Sequence, residues 1–339
     1  MSGEQGTHRR EAGVDGDRSW LARLDCPIPP RISPHVDDAQ EWLVDWTGRF
    51  TAPLGADTRD RTARGVFARY AARLYPEASA TDLRVIGALF TWFFMFDDAS
   101  DTPGQPRPVA AGALRDGVLR LLRDGVEAQT EELRGPLRGM LVDAWQVLRQ
   151  RMAPPSRARF TDAVAHYLEG LLTEVGNKAA GRTPSVAEYV PLRRATSAAY
   201  VSYTLIEFTT GRPLPDAVYH HPAVRELAAA GNDLLSWFND LLSLDWDVTT
   251  SGGHNLVLAV AAEQGLPVAA AVDVVVTRWQ ERMRQFVQLR AELPSFGPAL
   301  DDPLRHHLDG VANSVRGTID WSLESARYLR LGRTFTGQG

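Results

Sequence analysis

The stretch Leu89-Phe90-Thr91-Trp92-Phe93-Phe94-Met95-Phe96-Asp97-Asp98-Ala99-Ser100-Asp101 runs an apolar, aromatic segment straight into three carboxylates. On a helix Asp97 and Asp101 stand at i and i+4 and share a face. Their repulsion, added to the negative end of the helix dipole, disfavours the pair unless a cation or a proton intervenes. Hard oxygen donors of this kind suit Mg2+, which takes one or two carboxylates and completes its shell with substrate phosphate oxygens. A solvated helix end would carry the same acids. The aromatic run favours the metal, because Phe90, Phe93 and Phe94 lie on faces neighbouring Asp97. An apolar wall leading to a metal-binding rim is what an amphiphilic substrate needs.

A second stretch, Trp237-Phe238-Asn239-Asp240-Leu241-Leu242-Ser243-Leu244-Asp245-Trp246-Asp247, places Asn239, Ser243 and Asp247 along one helical stripe. An amide oxygen, a hydroxyl and a carboxylate can together ligate one Mg2+. The same spacing occurs at Asn232, Ser236 and Asp240. A polar stripe on a surface helix is the alternative to both.

Taken in chain order, these motifs resemble those of bacterial class I terpene synthases. The DDxxD stretch is Asp97-Asp98-Ala99-Ser100-Asp101, and the NDxxSxxxE triad appears as Asn239, Ser243 and Asp247. The later register is preferred because His254-Asn255-Leu256-Val257 follows it at the family's distance. The proline-rich segment from Cys26-Pro27 to Ser33-Pro34-His35, Tyr75-Pro76, and Pro184-Ser185 with Glu188-Tyr189 and Arg193-Arg194 also fit. Arg193 keeps the spacing of the family's diphosphate sensor ahead of Asn239. Trp321 precedes Arg327-Tyr328, which is similar to the terminal RY pair. Three positions depart from the pattern. Asp247 stands where Glu is usual, and Trp246 where a basic residue is common. Thr196-Ser197-Ala198 stands where a glycine is common.

The resemblance implies an all-α, single-domain bundle of about ten or more helices with the class I terpenoid synthase fold. It implies three Mg2+ ions held by Asp97, Asp98 and Asp101 on one side and by Asn239, Ser243 and Asp247 on the other. It assigns diphosphate oxygens to Arg193, Arg327 and Tyr328. It makes Ser197, with Thr196 beside it, the candidate whose backbone carbonyl helps trigger ionisation. Phe90, Phe93, Phe94 and Trp321 become candidates for a wall whose ring faces stabilise a carbocation. The implied reaction is ionisation of an isoprenyl diphosphate and cyclisation, with diphosphate released, which makes the enzyme a lyase. Farnesyl diphosphate, giving a sesquiterpene, is the commoner substrate of the family. Geranylgeranyl diphosphate, giving a diterpene, is the alternative. The resemblance also allows a homodimer.

Three other readings compete. A chain-elongating prenyltransferase would carry two aspartate-rich motifs, whereas the second motif here is an Asn/Ser/Asp triad. A protonation-initiated cyclase would carry DxDD, which does not occur. A non-catalytic helical protein that binds isoprenoid diphosphates stays open on the Asp247 and Trp246 departures. The triad register yields an expectation of its own: Asp247→Asn should matter more than Asp240→Asn.

These motifs need helices to position them. Apolar residues recur at three- and four-residue steps near 59–75, 80–100, 108–126, 129–152, 156–179, 185–211, 222–248, 254–264, 267–293 and 302–330. Pro76, Pro103-Gly104, Pro154-Pro155, Pro184, Pro213, Gly252-Gly253, Gly265 and Pro294 separate them. No linker divides the chain. The expectation is one domain over 19–332, between polar tails at 1–18 and 333–339.

A chain of 339 residues with 44% apolar and 23% charged residues can bury a large core. A formal net charge of −5 argues against a nucleic-acid surface. The single cysteine, Cys26, rules out a disulfide framework within the chain and fits a reducing cytoplasm. No signal-peptide core and no apolar run of membrane-spanning length are present, so no membrane insertion is expected.

Overall fold

Prolines and glycines punctuate the chain, and many helices of the computed structural model begin or end beside one. The structure describes residues 18–51, 67–100, 108–127, 132–250 and 254–325, and among these every regular element is helical. A 3-10 turn at Ser19–Arg23 leads through the extended proline segment to α1 (Val36–Thr51), α2 (Phe67–Leu74), α3 (Ala80–Ser100) and α4 (Pro108–Asp124). There follow α5 (Gly135–Arg151), α6 (Pro154–Ala179), α7 (Val186–Thr196), α8 (Ala199–Thr210) and the single turn α9 (Asp216–Tyr219). The chain continues as α10 (Pro222–Thr250), α11 (Leu256–Gln264), α12 (Val268–Ala291) and α13 (Pro298–Glu324). Proline sits in the first turn of α5, α6 and α13, where its missing N–H costs nothing. Gly211 and Gly265 end α8 and α11 in the left-handed conformation.

The helices pack as one bundle. α3 lies against α1, α2 and α5, and α6 against α4, α7 and α8. α10 packs on α7, α11, α12 and α13, while α13 also meets α2 and α8. The helices bearing the candidate residues (α3, α7, α10 and α13) thus surround a common apolar interior. No single helix among the described residues is long and apolar enough to cross a membrane. The expected tails fall outside the described residues, apart from Arg18.

One element differs from the expectation. The periodic run 185–211 is two helices, broken at Ser197-Ala198. Ala198 adopts φ 57°, ψ 9°, the only positive-φ non-glycine residue among those described. No glycine or proline marks this break, so apolar periodicity passes through it. The last helix also starts earlier than its periodicity suggests, at Pro298, and tolerates Pro303 close to its start.

A buried polar network ties α6 to α8 and α9 away from the candidate residues. Arg159 donates to Glu207 at 2.6 Å and to the Leu214 carbonyl at 2.7 Å, and its guanidinium lies 4.3 Å from the Tyr219 ring centroid. His307 of α13 is buried beside Tyr219, ring centroids 5.5 Å apart. Burial first, and then the Arg159 charge, lower its pKa from 6.5 to about 4. A base depressed in the fold adds stability that is present above its unfolded value and lost as pH falls from 6.5 toward 4. The loss from this one group should be about 3 kcal/mol. His307→Phe should therefore flatten the acid limb of a melting-temperature profile between pH 7 and 4. Parallel profiles for the two proteins would remove His307 from the account.

Candidate active site

The second polar stripe lies on α10. Asn239, Ser243 and Asp247 fall on one face near its C-terminal end, each partly accessible. Ser243 Oγ donates to Asp247 Oδ2 at 2.6 Å. Asn255, the N-cap of α11, donates from Nδ2 to the same oxygen at 2.9 Å and to the Asp240 carbonyl at 2.7 Å. Burial pushes the Asp247 carboxyl up to about 6, against the two hydrogen bonds that pull it down. A half-buried carboxylate with this tendency gains from a positive charge brought beside it.

The alternative stripe is already engaged. Asn232, Ser236 and Asp240 are 0%, 1% and 2% exposed. Asp240 accepts from Tyr189 Oη at 2.7 Å and from the Leu256 backbone N–H at 3.1 Å on one oxygen, and from Arg193 Nε at 2.8 Å on the other. Burial, and then the Asp240 charge, raise the Tyr189 pKa well above its ordinary value, so the phenol stays a donor.

Arg193 reaches this stripe from α7. Ser185 and Glu188 start that helix with a reciprocal capping box. Pro191, which cannot donate a helical hydrogen bond, lies one turn before the end. Arg193 Nη2 donates to Asn239 Oδ1 at 2.8 Å while its Nε holds Asp240. Burial disfavours the charge, but Asp240, through its charge and hydrogen bond, acts together with Tyr189 and Glu174 to raise the Arg193 pKa. A permanent cation therefore stands directly against the first member of the donor stripe.

Among the described residues no three Asp, Glu, His or Cys side chains converge as a metal cluster. The α10 donors are instead an amide, a hydroxyl and one carboxylate. An amide oxygen has two lone pairs, so Asn239 can accept from Arg193 and still ligate. This oxygen set fits a hard divalent cation. Asp97 and Asp98 are described only as backbone near the end of α3, and Asp101, Arg327 and Tyr328 lie outside the described residues.

The aromatic candidates separate into two groups. Phe90, Phe94 and Trp321 share a cluster with three rings from the α2 region. Tyr70 stacks on Trp321 at 4.5 Å and lies 5.2 Å from Phe90, and Phe67 stacks on Phe94 at 4.4 Å. Phe94 and Trp321 are 5.7 Å apart, and Tyr75 lies 6.3 Å from Phe90. Phe93 faces the other way round α3, edge-on to Tyr167 of α6 at 5.3 Å and to Trp92 at 5.0 Å.

Residues 88–285 match the model of terpene synthase family 2, C-terminal metal binding. The chain is a member of this terpene synthase family. It is 30% identical over 313 residues to a (+)-T-muurolol synthase, (2E,6E)-farnesyl diphosphate cyclizing, from Roseiflexus castenholzii, covering 92% of this chain and 95% of that one. It is 29% identical over 309 residues to 10-epi-cubebol synthase from Sorangium cellulosum, covering 89% and 96%. Among solved structures, germacradien-4-ol synthase from Streptomyces citricolor superposes with a TM-score of 0.77 at 26% identity, covering 88% of this chain and 99% of that one.

The candidate site of this terpene synthase, a lyase of a metal-binding family, also gathers residues that the motifs do not single out. Asp240, by spacing the end of the competing triad, is the counter-ion of Arg193. Asn255, in sequence one member of the His-Asn segment, links Asp240 and Asp247. Phe67 and Tyr70 carried no signal beyond helical spacing, which any core aromatic shares. Thr196 closes α7 and Ser197 follows it at the break, on the same edge of α10 as Arg193.

Proposed function

We propose that this terpene synthase is a Mg2+-dependent sesquiterpene cyclase that ionises farnesyl diphosphate. The observation that carries the reading is the meeting of Arg193 with the Asn239, Ser243 and Asp247 stripe, a permanent cation beside a hard-oxygen donor set. Asn239, Ser243 and Asp247 would hold one Mg2+, and Asp97, Asp98 and Asp101 the others. Bound Mg2+ would supply Lewis-acid stabilisation of the departing diphosphate.

The chain's own residues do the rest. Arg193, with Arg327 and Tyr328, donates to diphosphate oxygens, and those bonds strengthen as the C–O bond lengthens. The carbonyl of Ser197, beside Thr196, faces the positive charge that develops on the prenyl chain. Phe90, Phe94 and Trp321, joined by Tyr70 and Phe67, offer ring faces to the cation and exclude water that would quench it. Phe93 stands outside this cluster, edge-on to Tyr167 of α6. The farnesyl-cyclising activity named for the Roseiflexus relative supports this chain length. The mixed donor triad supports cyclisation over chain elongation.

Purified protein incubated with Mg2+ and, separately, geranyl, farnesyl and geranylgeranyl diphosphates should yield cyclic C15 products from the second only. Mass spectrometry of the extracts reads the outcome. A C20 hydrocarbon would replace the substrate assignment, and no terpene from any of the three would end the cyclase reading.

A further inference from the structure

The pentapeptide Asn-Asp-Leu-Leu-Ser occurs twice in α10, at 232–236 and at 239–243, one heptad apart. The second copy supplies the donor stripe. The first is buried and does something else. Asn232 Nδ2 donates to the Arg194 carbonyl at 2.9 Å, on one side of the α7–α8 break. Ser197 Oγ, at the break itself, donates to Asn232 Oδ1 at 2.8 Å. Ser236 Oγ holds the same oxygen at 2.9 Å, which fixes the amide orientation. Asp233 accepts both arms of Arg194, at 2.6 and 2.7 Å, and a further bond from Arg282 of α12 at 2.8 Å.

We infer that Asn232 is a positioning residue, which sets where the α7–α8 break falls and so where Arg193 and the Ser197 carbonyl stand relative to the α10 donor stripe. Three observations carry it. The carbonyls of a helix's last turn lack intrahelical partners, and Asn232 satisfies that of Arg194. Ala198 holds a left-handed conformation that a side-chain-bearing residue adopts at a cost, so neighbouring contacts must enforce it. Gly170 of α6 closes the opposite side, where a Cβ would lie 2.7 Å from Ala195 Cβ and 3.3 Å from the Thr196 nitrogen. The break is thus held between α6 and α10. Because Asn232 and Asn239 ride on one helix, its fixed rise, about 10 Å over the heptad, spaces the anchor of Ser197 from the anchor of Arg193. The catalytic consequence rests on the proposed diphosphate role of Arg193 and Ser197.

The test uses Asn232→Ala, Ser197→Ala, Ser197→Thr and the Asn232→Ala/Ser197→Ala double variant. Ser197→Ala keeps the backbone carbonyl and removes the hydroxyl's tie to Asn232, together with its longer contacts to the Arg194 carbonyl and the Ala199 N–H, both at 3.2 Å. Turnover of farnesyl diphosphate is measured well below each melting temperature. Asn232→Ala should lower kcat about 30-fold with KM within about threefold of the parent. Ser197→Ala should lower kcat about fivefold, Ser197→Thr should restore it to within about twofold, and the double variant should be no worse than Asn232→Ala alone. Amide hydrogen exchange should accelerate over residues 194–203 and stay unchanged in α12. Unchanged kcat in Asn232→Ala, losses that multiply in the double variant, or exchange that rises throughout the chain would each overturn the inference. If Asn232→Ala does not fold, the Ser197 pair decides, and parental kcat in Ser197→Ala overturns it. If the parent turns over no prenyl diphosphate, the functional reading fails separately. Exchange over 194–203 and calorimetric affinity for inorganic diphosphate with Mg2+ then decide, and no change in either upon Asn232→Ala overturns the inference.

Discussion

Replacing Arg193 with lysine should lower the turnover of farnesyl diphosphate about 10²–10³-fold, the cost typical of losing one preorganised donor to developing charge. Arginine presents five N–H donors in a rigid plane. Nε is committed to Asp240 and one Nη2 hydrogen to Asn239, which leaves three N–H groups for the diphosphate that the proposed function places beside the stripe. Lysine keeps the charge opposite Asp240 but replaces the fork with one mobile point. The fold should survive, because the buried carboxylate retains a counter-ion and the capping box that starts α7 is untouched. Steady-state kinetics with a thermal melt separates the two effects. A kcat within a few-fold of the parent, at unchanged melting temperature, would take Arg193 out of the diphosphate site.

The readable part of this protein was the part set by breakers and by charge. Pro76, Pro154-Pro155, Pro184 and Pro213 bound helices where the sequence placed them, because a missing N–H acts locally and needs no tertiary context. The α7–α8 break was not readable. Ala198 carries a left-handed turn that glycine would normally announce, and the contacts that enforce it come from α6 and α10, distant in sequence. The stripe on α10 was half readable. Spacing alone offers two registers, since Asn-Asp-Leu-Leu-Ser is duplicated, and the family distance to Asn255 was needed to choose. The fold gives an independent ground for the same choice: the earlier register, Asn232, Ser236 and Asp240, is buried and hydrogen-bonded to protein. The ring cluster that Phe67 and Tyr70 join was not readable, because their meeting with Phe94 and Trp321 depends on α2 packing against α3 and α13.

The two aspartates of α10 should fail in different ways when each is replaced by asparagine. Asp247 is half-buried, and burial already disfavours its charge. Asp247→Asn should leave the melting temperature of the metal-free protein unchanged or slightly raised. It should lower turnover about 10²-fold or more and raise the Mg2+ concentration needed for half-maximal activity, because a neutral amide is a poorer ligand for a hard cation. Asp240 gathers three donors, from Tyr189, Arg193 and the Leu256 backbone, and its side chain is 3% exposed. Asp240→Asn leaves the Arg193 charge without its counter-ion and should cost about 3 kcal/mol of stability. Turnover should fall as well, through the displaced Arg193, but the Mg2+ requirement should stay near that of the parent. The sequence alone suggested that Asp240→Asn would matter less. The structure replaces that ranking with a difference in kind, read by two measurements: a melt without metal and a Mg2+ titration of activity. A raised Mg2+ requirement in Asp240→Asn, with none in Asp247→Asn, would move the cation to Asn232, Ser236 and Asp240. Tyr189, Arg193 and Leu256 would then have to release the Asp240 carboxylate before a metal could bind it.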